Sequence, residues 1–177
     1  MSSTSDKNIH KYSALLVWDG NIGHGTSNYM DYGRGYRVCI EGKPDLIGSA
    51  DPLFLGDAAV HNPEELFVAA LSSCHMLSYL ALCSRNKVNV LSYQDRAHGT
   101  MRLVPKTGGG KFEEVTLEPL VTIAPGCDDK LAMKLHDKAH DVCFIANSVR
   151  CPVRHNAIVR VDYSVRAPKP ASNEVRA

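Results

Sequence analysis

Several features are scarce or missing in this sequence, and each gap removes a class of protein. The 177 residues carry 20 Lys and Arg against 19 Asp and Glu, for a formal net charge of +1, and aromatic residues make up 7%. A chain with scattered basic residues and few stacking rings is not built to hold nucleic acid or an anionic membrane surface. The opening stretch Met1–Tyr12 is polar and lacks the apolar centre of a secretory leader. The longest apolar run lies within Asn62–Ser84. It begins with Glu64 and Glu65 and is broken by Ser72, Ser73, His75, Ser78 and Tyr79, so it does not read as a membrane span. A cytoplasmic location is therefore expected, with no nucleic-acid or membrane partner. None of the six cysteines (Cys39, Cys74, Cys83, Cys127, Cys143 and Cys151) falls in a C-x-x-C, which excludes a paired zinc ribbon. In a cytosolic chain this usage implies mostly reduced thiols and at most one functional pair. No internal repeat is visible, and no G-x-G-x-x-G opens a helix.

The composition that remains, 44% hydrophobic and 22% charged, is that of a globular chain able to bury a core. We expect one domain over residues 1–166 and a disordered tail over 167–177. Tyr12–Trp18 and Tyr36–Glu41 read as strands, separated by a Gly-rich turn at Asp19–Ser27. Gly42–His61 reads as a loop with a short strand near Leu53–Leu55. Asn62, Pro63 and Glu65 make a helix start with a capping box, and apolar residues then fall on nearly every face to about Cys83. Val88–Val104 and Phe112–Ile123 read as a hairpin, the second strand bent at Pro119. A second long helix is expected from Asp128 or Asp129 to about Val149, then a last strand over Ala157–Arg166. Strands, helix, hairpin, helix and strand make an α+β pattern rather than a repeated βαβ.

Cys74 lies about three turns inside its helix, beyond the reach of the helix dipole. An apolar setting raises a thiol pKa, so as a nucleophile Cys74 would need a cation from elsewhere in the fold; otherwise it is an inert core thiol. On the second helix, His136, His140 and Cys143 fall at i, i+4 and i+7 on one face. They can be read as part of a zinc site, as a thiol facing Cys74, or as an ordinary helix stripe.

Asn62–Leu66 (N-P-E-E-L), then Ser72-x-Cys74, then Ala139–Cys143 (A-H-D-V-C) on a second helix resemble the motifs of the OsmC/Ohr family, the osmotically inducible and organic hydroperoxide resistance proteins. The resemblance runs from the first strand to the last. It implies an OsmC-like fold, a strongly bent antiparallel sheet around two long central helices in an intertwined homodimer. It also implies a thiol-dependent peroxidase with no metal or organic cofactor. Cys74 would attack a small-molecule peroxide and become a sulfenic acid. Cys143 would resolve it as a disulfide, and an external dithiol would reduce that. Glu64 matches the family's glutamate. Of Arg34 and Arg37, which would point to opposite faces of a strand, Arg34 is preferred as the family's arginine. Glu64 and Cys74 are ten helical residues apart, about 15 Å, so sharing one site requires a second subunit. Phe67, Leu71 and Leu77 around Cys74 favour an organic peroxide.

The sequence departs from the family at His75, where many members have Phe, and at Phe144, where many have Pro. His75 is a surface residue, a hydrogen-bond partner or part of a proton path. Cys39, Cys83, Cys127 and Cys151 read as structural. The alternative function is a non-catalytic zinc-binding or redox-responsive module using His136, His140 and Cys143.

Overall fold

The computed structural model describes residues 8–104 and 108–164; the tail over 167–177 lies outside them. The chain forms two compact units, one up to Leu66 and one from Phe67 onward.

The N-terminal unit holds an antiparallel sheet of β1 (Leu15–Trp18), β2 (Tyr36–Cys39) and β3 (Leu46–Gly48). Gly48 stands opposite Tyr36, where a Cβ would strike the phenol ring at 2.4 Å. The strand expected at Leu53–Leu55 is instead a 3-10 turn, Pro52–Phe54. Asp51 accepts the Leu53 N–H at 2.7 Å and Pro52 presets the turn, while the real third strand lies earlier, at Leu46–Gly48. The Trp18 indole donates to the Gly33 carbonyl at 2.8 Å, and the Gly33 N–H to Gly20 at 2.8 Å. These bonds close the loop that carries Arg34. Arg34 therefore precedes β2 rather than lying on it.

Helix α1 spans Pro63–Arg85. Its capping box forms as the residues dictate: the Glu65 N–H donates to Asn62 at 2.8 Å and the Asn62 N–H to Glu65 at 3.2 Å. By length and composition α1 could cross a bilayer, with mean hydropathy 1.7. In this fold it is a surface-to-core helix. Leu71, His75, Tyr79 and Cys83, four residues apart, form its buried stripe, while Leu77 on another face is 62% exposed. Ser72 donates to Asp95 at 2.5 Å, tying α1 to the sheet.

The sheets of the C-terminal unit show how the expected long strands behave. Val88–Val104 divides into β4 (Val90–Asp95) and β5 (His98–Val104). Phe112–Ile123 divides into β6 (Gly109–Leu117) and β7 (Pro119–Ile123). Of the last strand expected over Ala157–Arg166, β9 (Ile158–Val161) forms and residues 165–166 lie outside the described ones; β8 (Val153–His155), which the sequence reading missed, precedes it. One three-stranded sheet has the order β4-β7-β9, the other β5-β6-β8. Each long strand passes from one sheet to the other at a joint of one or two residues. The two sheets are thus built from the same three runs of chain, each run giving one strand to either sheet. The outer strands β8 and β9 run parallel to β6 and β7, the other pairs antiparallel. Tyr79, Val121, Ile123, Ala132 and Ala139 make one core cluster; Leu71, Val115 and Leu117 make a second.

Helix α2 spans Asp129–Val142, with Asp128 capping it by accepting the Leu131 N–H at 2.9 Å. It stops short of the expected Val149. Cys143 is its C-cap, in extended conformation, and the Asn147 amide caps the Asp141 carbonyl at 2.8 Å. A 3-10 turn, Ala146–Ser148, follows.

Candidate functional site

The structure brings the two expected cysteines together. Cys74, half-buried on α1, and Cys143, buried at the end of α2, are free thiols close enough for Cys74 to bear on the ionisation of Cys143. Cys143 is on the cap, not inside the helix, so it no longer continues the face of His136 and His140. Burial, and then the neighbouring Cys74 thiol, push the Cys143 pKa up to about 11; backbone N–H groups of Ala146 and Ile145 pull the other way. At neutral pH Cys143 is thus a protonated thiol.

Arg34 and Glu64 belong to the N-terminal unit. The Arg34 guanidinium donates to the carbonyls of Tyr32 and Tyr29 and lies over both rings, 4.0 and 4.6 Å from their centres. It makes no ion pair among the described residues. Arg37, the other candidate, is tied to Asp19 at 2.6 Å and Asp45 at 3.3 Å, which fixes it in the sheet. One oxygen of Glu64, Oε2, is buried with no hydrogen-bond partner among the described residues. Burial, and then this carboxylate, push the Tyr36 phenol up. A guanidinium without a carboxylate and a carboxylate without a donor are both present in this unit.

Of the readings open for His75, the structure selects a buried hydrogen-bond partner: His75 is 1% exposed, and its Nε2 lies 3.1 Å from His136 Nδ1. His155, which no local motif marks, lies beside both. Its signal is only tertiary, since α1, α2 and β8 converge there from three distant parts of the sequence. Among the described residues no three His, Cys, Asp or Glu side chains are arranged to hold a metal ion. The zinc reading of His136, His140 and Cys143 therefore finds no ligand set in this geometry. Of the apolar residues expected around Cys74, Leu71 is sealed in the core and Phe67 packs on the same cluster, while Leu77 faces outward. After Cys143 the chain borders an open cleft of about 760 Å³. Its lining includes Phe67 and Phe112, with ring centres 4.7 Å apart, Val149, Pro152, Lys111 and Arg150.

Comparison with known proteins agrees with this architecture. Residues 56–157 match the family described as OsmC, OsmC-like protein. An OsmC-like protein of unknown function from Vibrio cholerae is 33% identical, with a TM-score of 0.75 over 85% of this chain and 100% of its own. An organic hydroperoxide resistance protein OsmC from Legionella pneumophila is 21% identical, with a TM-score of 0.58 over 85% of this chain and 98% of its own. The organic hydroperoxide resistance protein OhrB of Bacillus subtilis is 18% identical, with a TM-score of 0.53 over 84% and 98%. No curated protein matches the sequence. The chain belongs to the OsmC-like family, and its fold is the α+β fold of that family.

Proposed function

We propose that this protein is a thiol-dependent peroxidase that reduces organic hydroperoxides as a homodimer. The observation that carries the reading is the Cys74–Cys143 pair, two free thiols brought together, one on α1 and one at the C-cap of α2. The Cys74 thiolate attacks the peroxide, forming an S–O bond as the O–O bond breaks, and an alcohol leaves. Cys143 then attacks the sulfenic acid sulfur, releasing water and closing a disulfide. An external dithiol restores both thiols by exchange. Because Cys143 is held protonated, the second step accelerates as pH rises towards its pKa.

Cys74 needs a cation, and Arg34, which has no ion pair among the described residues, is the guanidinium that the family motif assigns to that role. Glu64, about 15 Å along α1 from Cys74, cannot reach the thiol of its own helix. Arg34 and Glu64 are assigned to the site as a paired orienting set, with Glu64 supplied by a second copy. The uncovered face of α1, where Ala69, Ser73, Leu77 and Ala81 are exposed at four-residue spacing, gives that copy a surface to meet. The aromatic wall of the cleft beyond Cys143 suits an apolar substrate. The organic hydroperoxide resistance proteins of the same fold point to the same substrate class.

The test is a thiol count and peptide map after one equivalent of cumene hydroperoxide, on wild type and Cys143→Ser. A rapid Cys74–Cys143 disulfide in wild type, with a trappable sulfenic acid at Cys74 in the variant, is expected. An untouched Cys74 thiol with peroxide left intact would falsify the reading.

A further inference from the structure

In the N-terminal unit the chain between β3 and α1 contains a backbone conformation that its side chain disfavours. Leu55 has φ 65° and ψ 28°, the left-handed region, where a Cβ crowds the following carbonyl and glycine is the usual residue. The next residue is a glycine with its own reason: a Cβ at Gly56 would strike the Ala50 carbonyl oxygen at 1.6 Å. The turn holds Leu55 firmly in place. Its N–H donates to the Pro52 carbonyl at 3.0 Å, and the Phe54 and Gly56 N–H groups donate to the Asp51 carbonyl at 2.8 and 3.1 Å. The Asp57 N–H donates to the Ser49 hydroxyl at 3.1 Å. The leucine is not kept for the core, since it is 44% exposed. Strain of this kind gathers at ligand sites.

Leu55 lines a cleft of about 340 Å³, at the small end of ligand-sized pockets. Ile47 and Val60 add apolar surface, Ser49 and Asp57 belong to the polar part of the wall, and Arg34 lines it too. Of the five guanidinium N–H groups of Arg34, two donate to the carbonyls of Tyr32 and Tyr29, and the other three have no acceptor among the described residues. The cleft therefore joins a set of hydrogen-bond donors to an apolar wall. An alkyl or aryl hydroperoxide has the matching form, two oxygens that accept hydrogen bonds and an organic group attached to one of them. The Asp57 carboxylate, which accepts the Ala59 N–H at 2.8 Å, disfavours a ligand that carries its own negative charge.

We propose that Leu55 is a specificity-determining residue, and that the cleft it shares with Arg34 holds the organic group of a compact, uncharged hydroperoxide. The inference rests on the peroxidase reading, in which Arg34 serves the reacting thiol. A peroxide oxygen held by that guanidinium has its organic carbon within two bonds, so the surface that sorts substrates is the one beside Arg34. Hydrogen peroxide has no organic group and gains nothing from Leu55. The hydrogen-bonded turn fixes the direction in which the leucine projects, so its side chain meets the substrate without being buried in the core.

The experiment compares KM for cumene hydroperoxide and for hydrogen peroxide in wild type, Leu55→Gly, Leu55→Asn and Leu55→Met. Glycine and asparagine both accept the left-handed backbone, so the turn keeps its shape while the apolar contact is lost. In both variants the KM for cumene hydroperoxide should rise about tenfold relative to that for hydrogen peroxide, the lower end for a lost apolar contact in a pocket, with the loss falling on KM rather than kcat. Leu55→Met should restore the wild-type ratio. A ratio within twofold of wild type in both variants, or one that moves in Phe112→Leu instead, overturns the assignment. So does a Leu55→Asn variant that becomes monomeric by light scattering at an unchanged ratio, since the cleft then belongs to a second copy. If wild type consumes no hydroperoxide, the peroxidase reading fails separately. The cleft is then judged by titration with cumyl alcohol. Trp18, the single tryptophan, reports on it, because its indole donates to the carbonyl of Gly33 in the cleft wall. A saturable change in its fluorescence, weakened about tenfold in Leu55→Gly, is expected. No saturable change in wild type overturns the cleft as an apolar-ligand site.

Discussion

In the C-terminal unit Leu71, Tyr79, Val121 and Ala132 are sealed from solvent, whereas in the N-terminal unit Leu15, Leu16 and Ile47 are 62%, 65% and 50% exposed. The N-terminal unit has a sheet but no buried hydrophobic side chain among its described residues. The C-terminal unit has two core clusters, the thiol pair and the buried His75 and His136. Apolar strands left open in this way mark a surface meant to be covered. The N-terminal unit also holds the guanidinium of Arg34, which has no ion pair among the described residues, and the orphaned oxygen of Glu64. One part of the chain is finished by its own packing. The other leaves an apolar face open and a buried carboxylate oxygen without a partner among the described residues, which the proposed second copy would supply.

Mutations can break this contrast. The largest effect is expected in the finished core. Leu117→Ala, at a position 1% exposed, should cost about 2–5 kcal/mol, read as a lower urea midpoint with unchanged slope. Next is assembly. Leu16→Lys together with Leu77→Lys should turn a dimer into a monomer by light scattering at micromolar concentration, with helix content kept. A dimer that survives both charges would remove the covered-surface argument.

A pH series sharpens the contrast further. His75 and His136 have folded pKa values of about 4 and about 3, below the ordinary value near 6.5. The unfolded chain therefore binds more protons, and their contribution is complete above about pH 6.5 and is lost as pH falls towards 4. The melting temperature should drop across that window, and the drop should shrink in His136→Phe; an unchanged slope would exclude the pair as its source. The smallest effect is at the helix start. Asn62→Ala should cost about 1 kcal/mol, the usual worth of such a cap, by denaturant titration.

Much of this architecture is legible in the residues. Asn62 and Glu65 announce α1, and Asp128 announces α2, because caps are local hydrogen bonds. The thiol pair is legible through the motifs around Cys74 and Cys143. The joint at Glu118 is, since Pro119 marks a bend there; the joint at Arg96–Ala97 is not, and β8 is too short a run to show as a strand. The early end of α2 is hidden too, because an Asn147 side chain replaces the next backbone bond. His155 is invisible for a different reason: its partners are supplied by helices and strands far away in sequence.

The position of Cys143 on a helix cap has a mechanical consequence. A disulfide to Cys74 would close a loop of about seventy residues and make unfolding harder by roughly 4 kcal/mol on the chain-entropy estimate. Oxidation would thus act as a removable rivet. The spent form of the protein would be the sturdier one, and each return to the resting state would mean loosening it again. A melting curve taken with and without reductant would then report the oxidation state of the molecule directly, with the higher transition belonging to the form that has already reacted.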